Sequence, residues 1–191
     1  MNPYYLVMPR DGFGTAAPID QATDQAATEL ERRLGEPGTI TGCRQLTWIR
    51  TDDRPAPNWQ WGLGYVPLLS TSFRDILDTH KSRQDAIQWL PATLALTDGS
   101  IQERWIPHFT VQHDVLDTAA TTWGPSGLPL LWFLDPTKLD GLNILMIPGM
   151  TGDLIVNAET MRALRRAKMT GHQVLRARLT HATPHEPPTQ N

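Results

Sequence analysis

The pattern of apolar and polar positions between residues 142 and 179 predicts a strand, a capped helix and a second strand. Asp153–Val156 is an apolar run, and Asn157 follows it where a side-chain oxygen can accept from a free amide of the first helical turn. The predicted helix, 158–169, carries an apolar stripe at helical spacing, formed by Met161, Leu164 and Ala167. Gly171 is expected to end this helix, and Val174–Leu179 to return as a strand.

An earlier stretch has the same plan. Val66–Leu69 is a short apolar run, Ser70 is a favourable N-cap, and a helix is predicted over 71–80. Its apolar stripe consists of Phe73, Ile76 and Leu77. Ile87–Leu96 is the returning strand. Ser70 and Asn157 lie 87 positions apart, and the two stretches are either a duplicated unit or two ordinary strand-helix-strand units.

The remaining segments add strands and one more helix. Asp20–Leu34 predicts a helix that Asp20 caps and that Gly35 ends, and Asp98-Gly99 predicts a hairpin turn between apolar runs. The other predictions are strands at 4–8, 40–51, 91–96 and 104–109, extended chain at 111–116 and 128–134, and a turn at 11–14.

These elements predict an α+β fold with a mixed or mainly antiparallel sheet and three principal helices. The expected organisation is an N-terminal region, 1–64, with a strand, a helix and a tryptophan-containing loop, followed by a region, 65–179, with the two strand-helix-strand units. We expect the two regions to form one compact domain. The proline-rich end, 180–191, is expected to be a frayed tail.

Composition narrows the class of protein. The 191 residues are 40% hydrophobic and 19% charged, with a net charge of -3, which is typical of a globular chain. No apolar run approaches the roughly 20 residues of a membrane helix, and no secretory signal precedes the first strand. The single cysteine, Cys43, excludes an intramolecular disulfide and a cysteine-built zinc site. We therefore expect a cytoplasmic protein.

Residues that carry chemistry are sparse. The phosphate-binding, nucleophile-elbow, zinc-protease and dinucleotide motifs are all missing from the sequence. The one cluster of possible metal ligands is His108, His113 and either Asp114 or Asp117, but positions 108 and 113 face opposite sides of a strand. A single cysteine in a predicted strand is more typical of a buried thiol than of a nucleophile, and we interpret Cys43 in this way. We assign no catalytic residue, no metal and no cofactor.

Charge and tryptophan each mark a possible binding surface. Residues 1–161 hold 11 basic and 19 acidic residues, whereas 162–178 hold six basic residues and no acidic one. The basic segment could bind nucleic acid, although a helix needs most of these cations on its polar face. The predicted loop 51–64 carries Trp59 and Trp61, which share a side if the chain is extended. The two indoles either cover the core edge or form a binding surface.

Several motifs together resemble a known family. They are an apolar strand with a serine and a helix, a central strand with an aspartate turn, and a helix that ends at a glycine before a strand. The segments are Val66–Leu77, Ile87–Pro91, Arg104–Ile106, Asp114–Asp117, Leu154–Asn157, Met169–Gly171 and Val174–Leu175. Over roughly residues 65–179 the chain resembles bacterial polymorphic-toxin immunity proteins of the immunity-eleven type.

The resemblance implies a cytoplasmic, non-catalytic protein that binds and neutralises a cognate toxin, a secreted effector of interbacterial competition. Trp59, Trp61 and Trp123 are then the predicted toxin interface, in the acidic part of the chain that suits a basic toxin. Two alternatives belong to other classes. One is a small enzyme with a site around His108, His113 and Asp117, and the other is a nucleic-acid-binding protein that uses residues 162–178.

Overall fold

The computed structural model describes residues 3–10, 15–62 and 65–180. In these ranges the helices are α1 (Gln21–Leu34), α2 (Thr71–His80) and α3 (Ala158–Arg166). The strands are β1 (Tyr4–Pro9), β2 (Thr15–Pro18), β3 (Leu46–Ile49), β4 (Trp59–Gly62), β5 (Val66–Ser70), β6 (Ile87–Ala95), β7 (Ile101–Phe109), β8 (Thr122–Trp123), β9 (Pro129–Leu131), β10 (Ile144–Leu145), β11 (Leu154–Asn157) and β12 (His172–Arg176). The predicted turn at 11–14 and the predicted tail after 180 lie outside the described residues.

The strands form a closed barrel, a separate sheet and a small hairpin. The barrel has the order β2-β3-β6-β7-β5-β4, the four-stranded sheet has the order β10-β11-β1-β12, and β8 pairs with β9. Most pairs are antiparallel, whereas β2 with β4 and β3 with β6 are parallel. The predicted α+β class with a mixed sheet is therefore confirmed. Strands from both sides of residue 64 build the barrel.

Inward-facing apolar residues of alternating strand positions fill the barrel. Trp48 is fully buried there, next to Gly62, where an added Cβ atom would lie 2.6 Å from the indole Nε1. Helix α1 begins at the predicted cap, since Asp20 Oδ1 accepts from Thr23 N at 2.7 Å. Its buried face packs on the same cluster through Ala27, Leu30 and Leu34. This apolar face of α1 thus covers the barrel core.

A second core joins the barrel to the four-stranded sheet. It contains residues from the outer side of the barrel, one face of the sheet, and the facing sides of α2 and α3. Trp59 and Phe73 are fully buried in it, with their rings edge to face at a centroid distance of 5.4 Å. The opposite face of the sheet packs on the chain between β7 and β11 through a third cluster. Strands β10, β11 and β1 are consequently buried on both faces, whereas the edge strand β12 is mostly exposed.

The two predicted strand-helix-strand units have equivalent connections. β5 and β6 both pair antiparallel with β7, which lies between them, and β11 and β12 both pair antiparallel with β1. Each helix therefore connects two parallel strands that one antiparallel strand separates. On the outer side, β4 pairs with β5 and β10 pairs with β11. The superposition of the two units stays a prediction.

Both predicted N-caps are confirmed. Ser70 Oγ accepts from Phe73 N at 3.2 Å, and Asn157 Oδ1 accepts from Thr160 N at 2.9 Å. Each cap is the last residue of a strand and the residue before a helix. An extended strand can therefore turn into a helix without a connecting loop, because the cap side chain satisfies one amide that the first turn leaves free.

An asparagine before the outer strand of each unit supports that cap. Asn58 precedes β4, and its Nδ2 donates to Ser70 Oγ at 3.0 Å. Asn143 precedes β10, and its Oδ1 accepts from Asn157 Nδ2 at 2.7 Å. The backbone carbonyls of Asn58 and Asn143 also accept from the cap amides, each at 2.8 Å.

The same two asparagines connect each unit to the other one. Asn58 Oδ1 accepts from Thr170 N at 3.0 Å, just beyond the end of α3. Asn143 Nδ2 donates to the carbonyl of His80 at 2.8 Å, at the end of α2. Each asparagine thus joins its own unit's helix start to the other unit's helix end. This reciprocal arrangement extends the similarity of the units beyond their order of elements.

The end of α3 corrects one prediction. The helix ends at Arg166, three residues before the predicted limit of 169, and Lys168 takes the positive φ of 52°. Lys168 N donates to Arg165 O and Met169 N to Leu164 O, which is the Schellman pattern. Gly171 instead lies in the next turn with a φ of 86°. The sequence pattern predicted that Gly171 ends the helix, whereas in the structure Lys168 ends it.

Four segments also differ from the predictions. The loop predicted at 51–64 contains β4, because the backbone of residues 59–62 completes the barrel by pairing with β2 and β5. The chain at 111–116 forms no strand beyond one bridge between Leu116 and Leu134. The strand predicted at 40–51 shortens to β3, and the extended chain predicted at 128–134 contains only the short strand β9. Partner strands decided these lengths, since local pattern alone does not supply the second half of a ladder.

No helix among residues 3–10, 15–62 and 65–180 is long and apolar enough to cross a membrane.

Replacing either cap by alanine is expected to destabilise the fold. Ser70→Ala and Asn157→Ala each remove an acceptor for a first-turn amide, so each should lower the free energy of unfolding by about 1 kcal/mol in urea titrations. Arg162→Ala, at an exposed position inside α3, is the control and should stay within about 0.5 kcal/mol of the parent. Equal stability of all three variants would contradict the capping role.

Gly171 offers a second test, with Gly99 as its matched control. Both have positive φ, 86° and 82°, but a Cβ at Gly171 would meet the carbonyl oxygen of Trp59 and lie 2.6 Å from Pro57 Cβ, whereas Gly99 has open space. Gly99→Ala should cost about 1–2 kcal/mol through backbone strain alone. Gly171→Ala should cost clearly more by chemical denaturation, and a cost no larger than that of Gly99→Ala would disprove the close approach.

Candidate functional site

The three tryptophans of the predicted interface have different surroundings. Trp59 is 0% exposed and lies in the core between the barrel and the sheet. Its position corrects the prediction that it belongs to an interface, because a fully buried ring cannot contact a partner. Extended chain does put Trp59 and Trp61 on the same side of β4, but that side faces the second core. The interpretation in which the indoles cover the core is the one that fits Trp59.

Trp61 lies at the margin of the same core and remains partly accessible. Its ring packs edge to face on Tyr65, with the centroids 5.9 Å apart. A Cβ at Gly152 would lie 2.7 Å from Trp61 Cζ3, so the turn before β11 closes over the indole. Tyr65 itself is 69% exposed. Trp61 therefore anchors a turn and leaves only part of its surface for other contacts.

Trp123 is the tryptophan that the fold leaves on the surface. It is 43% exposed and belongs to the β8–β9 hairpin, where it pairs with Pro129. Other side chains of this hairpin are also exposed and apolar: Leu128, Leu130 and Leu131. A two-stranded hairpin has too few neighbours to bury both of its faces, and exposed apolar patches of this kind mark binding sites.

A groove runs between this hairpin and the edge of the four-stranded sheet. We call it the β9–β12 groove, with a volume of about 320 Å³. Its lining residues are Leu6, Leu130, Leu131, Trp132, Leu175, Arg176 and Arg178. The groove is mainly apolar with two guanidinium groups at its margin. Its chemistry suits an apolar group with negative charge beside it.

Backbone pairing positions the two walls of the groove. Leu175 on β12 lies opposite Leu6 on β1, so the floor of the groove continues from the sheet. Beyond β12, Leu134 N donates to Arg178 O at 2.9 Å, and Leu134 forms a parallel bridge with Leu179. The two walls of the groove are therefore connected at the end near Arg178. Towards Leu130, which is 71% exposed, no strand pairing joins β9 to β12 among the described residues.

The groove carries positive charge without matching acids. Arg178 lies over the ring of Phe133 at 5.9 Å. In the described parts of the chain, neither Arg176 nor Arg178 forms a salt bridge within 4.0 Å. Both guanidinium groups are therefore available to a carboxylate or phosphate, for which arginine provides paired donors.

The histidine and aspartate cluster is not brought together as a metal site. His108 is 1% exposed, and its Nε2 lies 2.6 Å from a backbone carbonyl oxygen, while His113 Nε2 contacts another carbonyl at 3.1 Å. Asp114 pairs with a lysine at 3.0 Å, and Asp117 accepts from two backbone amides of the following turn. Within the described residues, no group of His, Cys, Asp or Glu has a metal-binding arrangement. These side chains hold loops in place.

Cys43 has the environment of an unreactive thiol. It is half-buried, and desolvation raises its pKa despite the neighbouring charge of Arg33. A nucleophilic cysteine needs the opposite shift, because the thiolate is the reactive form.

The basic segment divides between two surfaces. Four cations are exposed on or just after α3, where Arg165 lies over the ring of Tyr5 at 5.6 Å. These four are Arg162, Arg165, Arg166 and Lys168. Arg176 and Arg178 belong instead to the β9–β12 groove. The segment therefore does not act as one uniform basic face.

Two arginines inside the barrel were not predicted as special positions. Arg50, 3% exposed, donates to Asp52 at 2.5 Å and to Gln60 Oε1 at 3.2 Å. Arg104, 2% exposed, donates through Nη1 to Pro57 O at 2.9 Å, and its Nε has no partner among the described residues. Burial, and then the charge of Arg50, lower the pKa of Arg104 to about 10. Arg104 thereby holds the loop that precedes β4.

No family model matches this chain, and no curated protein matches it. The likeness to immunity proteins therefore rests on the sequence motifs alone. Among the described surfaces, geometry favours the β8–β9 hairpin and the β9–β12 groove as the candidate site. Sequence reasoning found Trp123 and marked the basic segment 162–178, which includes Arg176 and Arg178, but it did not single out Leu130 and Leu131, whose only sequence signal is the apolar run at 128–134.

Asp153 is a partly buried carboxyl group at the start of β11. Among the described residues it has no hydrogen bond and no ion pair, and desolvation raises its pKa from 3.8 to about 6. The folded state therefore holds the proton more tightly than the unfolded chain. The protonated Asp153 carboxyl group therefore contributes its full stabilisation below the pKa that this group has in the unfolded chain. This stabilisation is lost as the pH rises through about 6.

Replacing Asp153 with asparagine should remove this dependence on pH. Asp153→Asn should gain stability relative to the parent as the pH rises from about 4 to about 7, since burial of a charge is avoided. Urea unfolding across that range provides the measurement. Asp53→Asn, at an exposed position, is the control and should show no such trend. A constant difference between Asp153→Asn and the parent at every pH would refute the assignment.

Proposed function

We propose that this chain is a non-catalytic immunity protein, which binds a cognate toxin of interbacterial competition in the cytoplasm of its producer and blocks that toxin. The resemblance over residues 65–179 supports the class, and the candidate surface supports the mode of action. Such a protein needs a stable scaffold and an exposed binding surface, and it needs no reacting groups.

The observation that carries the proposal is the exposed apolar surface of the β8–β9 hairpin. Trp123 is 43% exposed, Leu130 71% and, across the groove, Leu175 54%. Apolar side chains that are concentrated in one surface region are costly to leave in water, and they favour burial against another protein. Tryptophan is in addition enriched among the residues that dominate binding energy.

Charge at this surface also favours a protein partner. The hairpin residues 122–131 carry no charge, and the basic segment supplies Arg176 and Arg178 at the groove. The surface therefore combines an apolar centre with charged residues at its margin, which is the usual plan of a protein interface. This local charge, more than the net charge, determines which partner segment is complementary.

Neither alternative class gains support from a specific contact. The side chains of His108, His113 and Asp117 contact backbone groups, so an enzyme at this cluster would first have to break those hydrogen bonds. The basic segment presents its cations on α3 and at the groove separately. A nucleic-acid-binding protein would gain more from one continuous track of cations along the phosphates.

Coexpression with a candidate toxin tests the function. A neighbouring gene that ends in a toxin domain supplies the partner, and the full chain should restore growth to a bacterial host that expresses this domain. The purified proteins should form a stable complex by size-exclusion chromatography. Failure of the parent chain to protect against the neighbouring toxin, or its location in a metabolic operon without a toxin gene, would contradict the proposal.

Two tryptophan variants separate binding from folding. Trp123→Ala should weaken toxin binding by about tenfold or more while the protein keeps its stability, because its ring is exposed. Trp59→Ala should lower the free energy of unfolding by about 3–5 kcal/mol, because it empties the second core. Calorimetric titration with the toxin and urea unfolding measure the two effects. If Trp123→Ala binds the toxin like the parent, the hairpin is not the interface.

A further inference from the structure

We infer that the β9–β12 groove binds an extended segment of the toxin, in which a bulky apolar side chain is next to a carboxylate. The segment would lie along β12 as an added strand of the four-stranded sheet. This inference rests on the proposed function and deepens it, since it names the part of the partner that is recognised and the groups that recognise it.

The edge of the four-stranded sheet at β12 is open. β12 pairs with β1 on one side, and in the described chain no strand pairs with its other side. An edge strand presents free amide and carbonyl groups, and an extended peptide satisfies them by adding a strand. Strand β12 has no paired neighbour on this side within the described ranges, and an open edge beside an apolar groove favours a binding role.

The groove has the size and apolar character of a side-chain pocket. A volume of about 320 Å³ accepts a large side chain, and three exposed leucines surround it: Leu130, Leu131 and Leu175. Side chains of an added strand alternate between its two faces, so every second residue of the segment would point towards the groove. Burial of a large apolar side chain there removes both its own surface and that of the leucines from water.

The charge of the groove selects an acidic neighbour for the apolar anchor. Arg176 is a residue of the edge strand, and Arg178 follows on the same wall of the groove. Neither has a carboxylate partner within the described chain. Opposite charges on neighbouring strands stabilise a sheet, and arginine binds carboxylates through paired donors. An aspartate or glutamate beside the apolar anchor therefore complements the groove, whereas a lysine there would be repelled.

A peptide selection tests the inference even before the toxin is identified. A random dodecapeptide library displayed on phage is selected on the full chain, and enriched peptides are synthesised and titrated. We expect apolar residues that alternate with aspartate or glutamate. The double variant Leu175→Ser/Arg176→Ser should lose affinity by about tenfold or more, because it removes both the apolar wall and the charge.

A matched variant controls for surface changes elsewhere. Ile101→Ser/Arg162→Ser replaces an isoleucine that is 69% exposed on β7 and an exposed arginine on α3, both outside the groove. It should bind the selected peptides like the parent. No enrichment, enrichment of basic peptides, or equal binding by the groove variant would overturn the inference. So would duplex DNA of random sequence that binds the parent tightly and loses affinity in the groove variant.

Protection in cells distinguishes this inference from the function on which it rests. If the parent protects against the neighbouring toxin and the groove variant does not, while the matched variant does, the groove is the recognition site. Protection by the parent and by both variants would overturn the groove and leave the immunity function standing. No protection by the parent would reject the function itself, whatever the peptides show.

Discussion

The burial of Trp59 is the interaction on which the rest of the structure depends. Its ring packs edge to face on Phe73 in a core that the barrel, the sheet, α2 and α3 share. Its amide donates to Thr170 O at 3.1 Å, and its carbonyl oxygen lies where a side chain at Gly171 would be. One residue of the barrel therefore fixes the entry of β12 into the sheet.

The two asparagines show how the units are held in register. Asn58 connects Ser70 to the end of α3, and Asn143 connects Asn157 to the end of α2. The first and last turns of a helix leave backbone groups without hydrogen bonds. Here one asparagine side chain contacts the start of one helix and the end of the other. These hydrogen bonds connect the barrel unit to the sheet unit, in addition to the apolar packing between the two units. The helix pair consequently forms a rigid centre between two sheets.

The proposed binding surface lies away from that centre. Residues that join the sheets, such as Trp59, are buried, whereas the β8–β9 hairpin has few neighbours and keeps Trp123 and Leu130 exposed. A stable scaffold can carry such a hairpin because its own cores do not depend on it. The proposed division assigns the packed cores to folding and the apolar and basic edge to recognition.

Local signals in the sequence determined the helix starts at Asp20, Ser70 and Asn157 and the hairpin turn at Asp98-Gly99, because caps and turns depend on neighbouring residues. Only tertiary structure decided the closure of the barrel, the strand β4 and the burial of Trp59, because each depends on a partner far along the chain. The groove is of this second kind. In the groove, leucines near residue 130 lie beside arginines near residue 176, more than forty residues later in the chain. The local pattern of apolar and polar residues cannot predict such a contact, because long-range strand pairing creates it.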